Sequence, residues 1–281
     1  MKIAYFDCFS GISGDMTLGA LVDSGINPDT LNAELAKLKL DEFTLRFDKV
    51  AKHGVTGTQA IVEMTGMTDS ARVHNAFPVE AHHHHSHNHS YEHNHHSHTD
   101  KPSRYLSDIF AILDNSDLEE PITDSAKQIF DRLAEAEAKV HNMPKDRVHL
   151  HEVSGVDSIV DIVGSVIGLH LLELDAIYAS PLSLGDGFVR CAHGLMPVPA
   201  PGTMELLRGV PVRQTGIRKE LVTPTGAAIV TSLAHGFGPM PEMIIEQIGY
   251  GAGTRNLEEQ PNLLRICIGE KKTPLSTIKF T

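Results

Sequence analysis

Hydrophobic and polar positions along this chain follow two periods, one near two residues and one near 3.6. Lys2 to Phe6 (KIAYF) is a short apolar run that enters the Gly-rich stretch DCFSGISGD, and this predicts a buried strand, a turn and then a helix over Met16 to Val22. Asn27-Pro28 opens a second predicted helix, Asp29 to Leu40, and FTLRFDKV and TQAIVEM then alternate as strands do. Beyond a polar insertion over residues 66 to 102, Ser103 can cap a helix with Leu106, Ile109, Phe110 and Leu113 on one face. A further helix, Thr123 to Val140, repeats that spacing with Ala126, Ile129, Phe130 and Leu133.

The stretch VHLHEVSGVDSIVDIVGSVIGLHLLEL passes from a short extended piece into a helix apolar almost all round, the pattern of a helix packed at the centre of a domain. AIYAS, GFVRCA, MIIEQIGYGAG and NLLRICIG read as strands; PGTMELLRG and PTGAAIVTSLAHG read as helices started by Pro and stopped by Gly. Together these predict an α/β fold of mixed α+β character, in one compact domain or two closely packed lobes. No internal repeat is visible, and the polar insertion is the one linker-like region.

Composition narrows the function classes. The 281 residues include 24 basic and 36 acidic side chains, a formal charge of −12, with no Lys/Arg cluster to follow a phosphate backbone, so nucleic acid is not an expected partner. No apolar run approaches the ~18 residues a membrane span needs, and MKIAYFDCF lacks the basic start and length of a signal peptide; the expectation is a soluble, cytoplasmic protein without a membrane partner. Cys8, Cys191 and Cys267 are widely spaced and form no CxxC, which fits a reducing compartment.

Metal chemistry enters with the insertion. HHHHSHNHSYEHNHHSH, residues 82 to 98, holds ten of the chain's 18 histidines: His82, His83, His84, His85, His87, His89, His93, His95, His96 and His98. A run of His, Ser and Asn cannot bury enough apolar surface to order itself, so a disordered loop is expected. It lies inside the chain, unlike an expression tag. At an ordinary pKa of ~6.5 its imidazoles are mostly neutral near pH 7, and each offers a lone pair to nickel, zinc or copper.

A second set of donors sits in HLHEVSGVDSIVD. His149 and His151 would project from one side of an extended segment, and Asp157 and Asp161 stand at i, i+4 on a helix otherwise suited to burial. Acids on such a helix call for a partner, and a cation held by imidazole and carboxylate, with Glu152 as a further ligand or base, would satisfy them; the plainer alternative makes Asp157 a cap and Asp161 a hydrogen-bonded core acid.

FDCFSGISGDM offers backbone amides at Gly11, Ser13 and Gly14, a place for phosphate or carboxylate, but no Lys-Ser/Thr pair follows to make a Walker loop. Asp7 and Asp15 flank that loop and would hold a cation against bound phosphate, with Asp15 as a plain N-cap equally open. Cys8 reads more readily as a small buried hydrophobe than as a thiolate. In KELVTPTGAA, Thr223, Thr225 and the amide of Gly226 form a second candidate anion cradle, with Glu220 and His193 (in AHGLMPVPAPGT) available to a metal or a proton. Rigid turn chemistry is the plainer reading. The isolated histidines His53, His141 and His235 read as structural.

YFDCFSGISGDMTLGAL, the internal His-rich insertion, HLHEVSGVDSIVDIVG, AHGLMPVPAPGT and ELVTPTGAA, in this order, resemble the LarC-type nickel-insertion proteins over nearly the whole chain. The resemblance implies a nickel chelatase, a lyase that forms a carbon–nickel bond in a sulfur-bearing pyridinium mononucleotide and so makes the nickel-pincer cofactor of lactate racemase. It implies consumption of CTP with Mg2+ or Mn2+. Carried onto this chain, it suggests that residues 82 to 98 collect Ni2+, that His149, His151, Asp157 and Asp161 hold the exchange site, and that Glu152 or His193 accepts the pyridinium proton. Partners would be the mononucleotide, the lactate racemase apoenzyme and a C-terminal nucleotide-binding domain or long form of the protein. On that reading residues 1 to 270 are the nickel-insertion domain and 271 to 281 a polar tail, the usual C-terminal domain being absent; a homo-oligomer stays open. The competing expectations are a non-catalytic nickel or zinc storage or delivery protein, served by the histidine run alone, and a phosphate-ester hydrolase using Asp7, Asp15 and Mg2+.

Overall fold

A computed structural model describes residues 1–40, 43–64, 104–150, 153, 155–191 and 194–272. The fold is α/β. A seven-stranded mixed sheet is built from β1 (Lys2–Asp7), β2 (Phe43–Lys52), β3 (Val55–Met64), β4 (Ala176–Ala179), β9 (Gly236–Phe237), β10 (Met243–Ala252) and β11 (Leu263–Lys271), in the order β2-β3-β10-β11-β1-β4-β9. Two small pairs lie outside it: β5 (Leu182–Leu184) with β8 (Val212–Gln214), and β6 (Phe188–Cys191) with β7 (Gly194–Pro197).

The helices are α1 (Gly14–Asp23), α2 (Pro28–Ala36), α3 (Leu106–Asp114), α4 (Glu120–His141), α5 (Val156–Leu171), α6 (Pro201–Leu206) and α7 (Pro224–Leu233). Asn27 caps α2 as its Asn-Pro entry predicts, accepting from the Asp29 amide at 2.7 Å. The cap of α3 is Tyr105 rather than the expected Ser103, which lies outside the described residues. FTLRFDKV and TQAIVEM extend toward each other until a two-residue turn at His53 and Gly54, both at positive φ (49° and 79°), closes them into a hairpin. The His-rich insertion lies outside the described residues.

What places the site is the seating of α1. A Cβ on Gly251 of β10 would stand 1.7 Å from the Met16 carbonyl oxygen, and one on Gly249 2.0 Å from that of Ala20, so helix backbone lies directly on strand backbone. At its C-terminal end Asp23 accepts from Thr58 Oγ1 (2.6 Å), from the Tyr250 amide (2.9 Å) and from Lys49. Burial pushes the Asp23 carboxyl up, but these three donors outweigh it and hold the group below its ordinary range.

The central helix α5, buried along most of its length as its composition predicts, lies against α1 through glycines: a Cβ on Gly164 would meet Leu18 at 2.8 Å and one on Gly168 would meet Leu21 at 2.9 Å. Asp157, Asp161, Gly164 and Gly168 follow one another at helical spacing, so the face of α5 that packs on α1 carries Asp161 at its N-terminal end. Phe6, Leu18, Leu21, Phe130, Leu133, Ile159 and Val163 fill the core between sheet and helices.

Candidate functional site

The loop after β1 is stapled to the segment before α7. Gly11, at φ +87°, donates its amide to the Cys8 carbonyl (3.0 Å); Ile12 donates to Leu221 O (2.9 Å) and accepts from the Thr223 amide (3.0 Å). A Cβ on Gly226 would stand 2.4 Å from Ile12 O, so the start of α7 also rests on this loop. The N-termini of α1 and α7 are thereby set side by side, and the N-terminal end of α5 meets them because Asp161 fills the space in front of Gly14, where a Cβ would lie 2.6 Å from its Oδ2.

These elements enclose a cavity of about 520 Å3. One part of its wall is acidic: Asp15, Asp157 and Asp161 with Ser13 and Ser158. Glu137 and His141 of α4 face each other across 3.5 Å on another part, and Glu220 pairs with Arg255 at 3.4 Å. The β6–β7 pair contributes Val189, Arg190, Cys191 and Met196.

Asp15 Oδ1 accepts from the Ser13 hydroxyl and from the Met16 amide (2.9 Å), and its Oδ2 accepts from Thr254 at 3.3 Å. Burial nevertheless pushes its carboxyl above the ordinary range. Asp161 is raised further, first by burial and then by the negative charges of Asp15 and Asp157; the amide of Asp15 opposes the shift. Its Oδ1 is buried and makes no hydrogen bond among the described residues. A buried, under-satisfied carboxylate beside two others is a receptor for positive charge, either a proton or a cation.

The sequence expectations meet this geometry unevenly. Asp15, Asp157, Asp161, Ser13, Thr223 and Thr225 line one cavity. His149 is not part of its wall; it bridges to Tyr105, whose ring centroid lies 4.2 Å from its own. His151, Glu152, His193 and the ten histidines between His82 and His98 lie outside the described residues.

Three expectations meet a different arrangement. In the loop of Gly11, Ser13 and Gly14 the Gly11 amide closes its own turn, the Ser13 hydroxyl serves Asp15 and the Asp161 carboxylate fills the front of Gly14, so the loop does not stand open as the expected cradle. In the second cradle the Gly226 amide goes to Thr223 Oγ1 (3.2 Å) and the Thr223 and Thr225 hydroxyls bind each other (3.0 Å), which is capping chemistry. Asp7 does not share a site with Asp15: its Oδ2 is held by Arg265 (2.5 and 3.2 Å) on a separate pocket with Phe9 and Tyr250, so it has no place in the chemistry of the cavity. Cys8 is fully buried and burial drives its thiol far up, as expected of a small core residue.

Sequence reasoning passed over Glu137, Arg190, Met196 and Arg255, and read His141 as structural and Cys191 only as a widely spaced cysteine. A signal for Glu137 existed: it continues the spacing of Ala126, Phe130 and Leu133, so a charge sits on the apolar stripe of α4. Among the described residues no three His, Cys, Asp or Glu side chains stand close enough together to hold a metal ion by themselves, and no helix is long and apolar enough to cross a membrane.

A family model described as "Nickel insertion protein" matches residues 4–280. The chain is 47% identical over 271 residues to the pyridinium-3,5-bisthiocarboxylic acid mononucleotide nickel insertion protein of Geobacillus kaustophilus, covering 96% of this chain and 60% of that one. It is 47% identical over 270 residues to the protein of the same description from Desulfitobacterium hafniense (96% and 59%) and 44% identical to a putative nickel insertion protein of Dictyoglomus thermophilum (96% and 61%). The chain thus spans about 60% of the length of these curated relatives. No solved structure matches it. With a match across all but its first three and last residues, and its cavity lined by Asp157 and Asp161 from the predicted HLHEVSGVDSIVD motif, the chain belongs to the nickel insertion protein family.

Proposed function

We propose that the cavity is where nickel is handed to a pyridinium mononucleotide carrying two thiocarboxylates, the compound named for the relatives from Geobacillus and Desulfitobacterium. The observation that carries this is Asp161, a buried carboxylate whose Oδ1 makes no hydrogen bond among the described residues, crowded by Asp15 and Asp157 on the wall of a cavity of about 520 Å3, large enough for a nucleotide-sized guest.

Nickel is cargo here, so the protein must hold it and also let it go. Carboxylate oxygens are hard, weakly competitive donors for a borderline ion, and a site short of a full ligand set leaves positions open to an incoming group. The two sulfurs of the acceptor then complete the coordination and win the ion. Repulsion among the three acids supplies the pull for the cation on arrival, and substrate sulfur supplies the pull on departure.

The histidines of residues 82 to 98 supply the collecting step by composition. His149 and His151 flank the aspartate helix in sequence and serve the approach. Forming a carbon–nickel bond also displaces a ring proton, for which Glu152 or His193 is the proposed acceptor. CTP with Mg2+ or Mn2+ belongs to this proposal, since the hard oxygen donors of Asp15 and Asp161 suit such ions as well; so do delivery of the cofactor to lactate racemase and a dependence on the part of the relatives that this chain does not span.

The direct test is incubation of the purified chain with Ni2+, the sulfur-bearing mononucleotide, CTP and Mg2+, with and without the remaining part of a full-length relative, followed by mass spectrometry. The expected product is the mononucleotide carrying one nickel and lacking one proton. Recovery of unmodified mononucleotide in every arm, with nickel retained on the histidines alone, would favour storage.

A further inference from the structure

The described wall of the cavity carries a pair of groups that holding the ion does not use. Glu137 and His141 both line it from α4, one helical turn apart, with Glu137 Oε2 3.5 Å from His141 Nε2. Glu137 continues the spacing of Phe130 and Leu133, so its carboxylate stands on the otherwise apolar stripe of the helix. An acid placed there loses hydration, and a cavity wall that keeps one has a use for it. Room for the carboxylate is made by α6: a Cβ on Gly202 would stand 2.5 Å from Glu137 Oε1 and 3.3 Å from its Cδ. The group is thus set between Gly202 and the imidazole, while 16% of its side chain remains accessible.

The gap between the pair is longer than the about 2.7–2.9 Å of a charge-assisted N–H···O bond, and a proton on either member would draw the two together. A carboxylate backed by an imidazole can take a proton from a bound molecule and pass it on, since imidazole serves as a proton shuttle. Val140, Val153, Val189 and Met196 line the same cavity and offer apolar surface to a flat ring. Asp15, Asp157 and Asp161 come from α1 and α5, whereas the pair comes from α4, so the cation and the proton have separate receivers.

We infer that Glu137 accepts the ring proton displaced when the carbon–nickel bond forms, with His141 positioning the carboxylate and relaying the proton outward. The ring C–H bond breaks, its electron pair becomes the carbon–nickel bond, and the proton goes to the Glu137 carboxylate and on to His141. The positive charge of the pyridinium ring acidifies that C–H bond and attracts the carboxylate. This rests on the reading of the cavity as the nickel-transfer site, and within it places the acceptor on the described wall, ahead of Glu152 and His193.

The test incubates the whole chain, together with the remaining part of a full-length relative, with Ni2+, the sulfur-bearing mononucleotide, CTP and Mg2+. Product is followed by mass spectrometry, and the run is repeated with the mononucleotide deuterated at the ring carbon that takes nickel. Glu137→Gln should bind nickel as wild type does yet form product at least about a hundredfold more slowly, the loss expected when a general base is removed. Ring deuterium should slow this variant more than it slows wild type, because proton removal has become its slowest step. Gly202→Ala should lose about tenfold or more with little change in melting temperature, since the methyl group displaces the same carboxylate. His141→Asn should lose less than Glu137→Gln. Product at the wild-type rate from Glu137→Gln would overturn the inference and leave nickel transfer standing, with Glu152→Gln and His193→Asn then identifying the acceptor. Loss of nickel binding together with product in Glu137→Gln would make Glu137 a ligand and overturn the inference as well. Wild type that forms no product would overturn both readings. Were Glu137→Gln to fail to fold, Gly202→Ala would decide, a wild-type rate there counting against the inference.

Discussion

Asp161→Asn will make this protein more stable and less able to hold nickel. Burial and the charges of Asp15 and Asp157 raise the Asp161 carboxyl in the folded chain, so the folded state binds its proton more tightly than the unfolded chain does. For an acid shifted upward the associated stability is present in full below the unfolded value of ~3.9 and is lost as pH rises through the folded value. Above the folded value wild type therefore carries the penalty of a crowded, buried negative charge. The amide variant keeps the shape and removes the charge; a gain of roughly 1–2 kcal/mol is expected, at about 2–4 °C in Tm per kcal/mol for a chain of this size. Melting curves from pH 4.5 to 7.5 should show wild type gaining stability toward acid and Asp161→Asn gaining much less. Nickel affinity at the folded site should fall by at least tenfold, since the carboxylate with the unsatisfied oxygen is gone. A variant less stable than wild type at pH 7 would mean that Asp161 is an ordinary structural acid whose partner had been lost.

The largest loss of stability is expected at Gly251→Ala. The added methyl would lie 1.7 Å from the Met16 carbonyl oxygen and 2.7 Å from the Ala20 amide nitrogen, both backbone atoms of α1. No rotamer relieves such a contact, so α1 must lift from β10. Overpacking of this kind costs about 3 kcal/mol. Because α1 carries Asp15 at its first turn and fixes Gly14 against Asp161, the displacement also spreads the acids, and nickel binding should weaken with the fall in Tm. An alanine at position 25, where the nearest group to a Cβ is the Gln247 side chain at 3.7 Å, is the control for the loss of a glycine; it carries only the strain of φ +118°. Comparable Tm losses at the two positions would show that backbone strain, and not the seating of α1 on the sheet, explains the effect.

Much of this arrangement was legible in the residues. Strand, Gly-rich turn and helix at the N-terminus follow from KIAYF and the glycines after it, and the central helix from its all-round apolar composition. Asp161 stands out in the sequence because an acid on such a helix needs a partner. The failures share a physical cause: spacing along the chain says which side chains share a face, not what stands opposite. The Gly-rich loop before α1 looked like an empty anion cradle because nothing in DCFSGISGD reveals that Asp161, some 150 residues later, occupies its front. His149 pairs with Tyr105, reached only once the chain has returned from the insertion. Asp7 and Asp15 flank one loop, yet Arg265 on the neighbouring strand claims Asp7 on a separate pocket. The short strands Leu182–Leu184, Val212–Gln214 and Gly236–Phe237 have too few residues to show a period, and β7 was hidden in a Gly/Pro-rich stretch that reads as turn.

The measurement that bears most directly on the account is nickel binding to the chain without residues 82 to 98, by equilibrium dialysis at pH 7.5, in otherwise wild-type protein and with Asp15→Asn and Asp161→Asn combined. The account predicts about one ion per chain in the first, held by oxygen and nitrogen donors in its X-ray absorption spectrum, and its loss in the second while the protein stays folded. Retention of the ion by the double variant, or no ion on the shortened chain at all, would contradict a nickel site built on these aspartates.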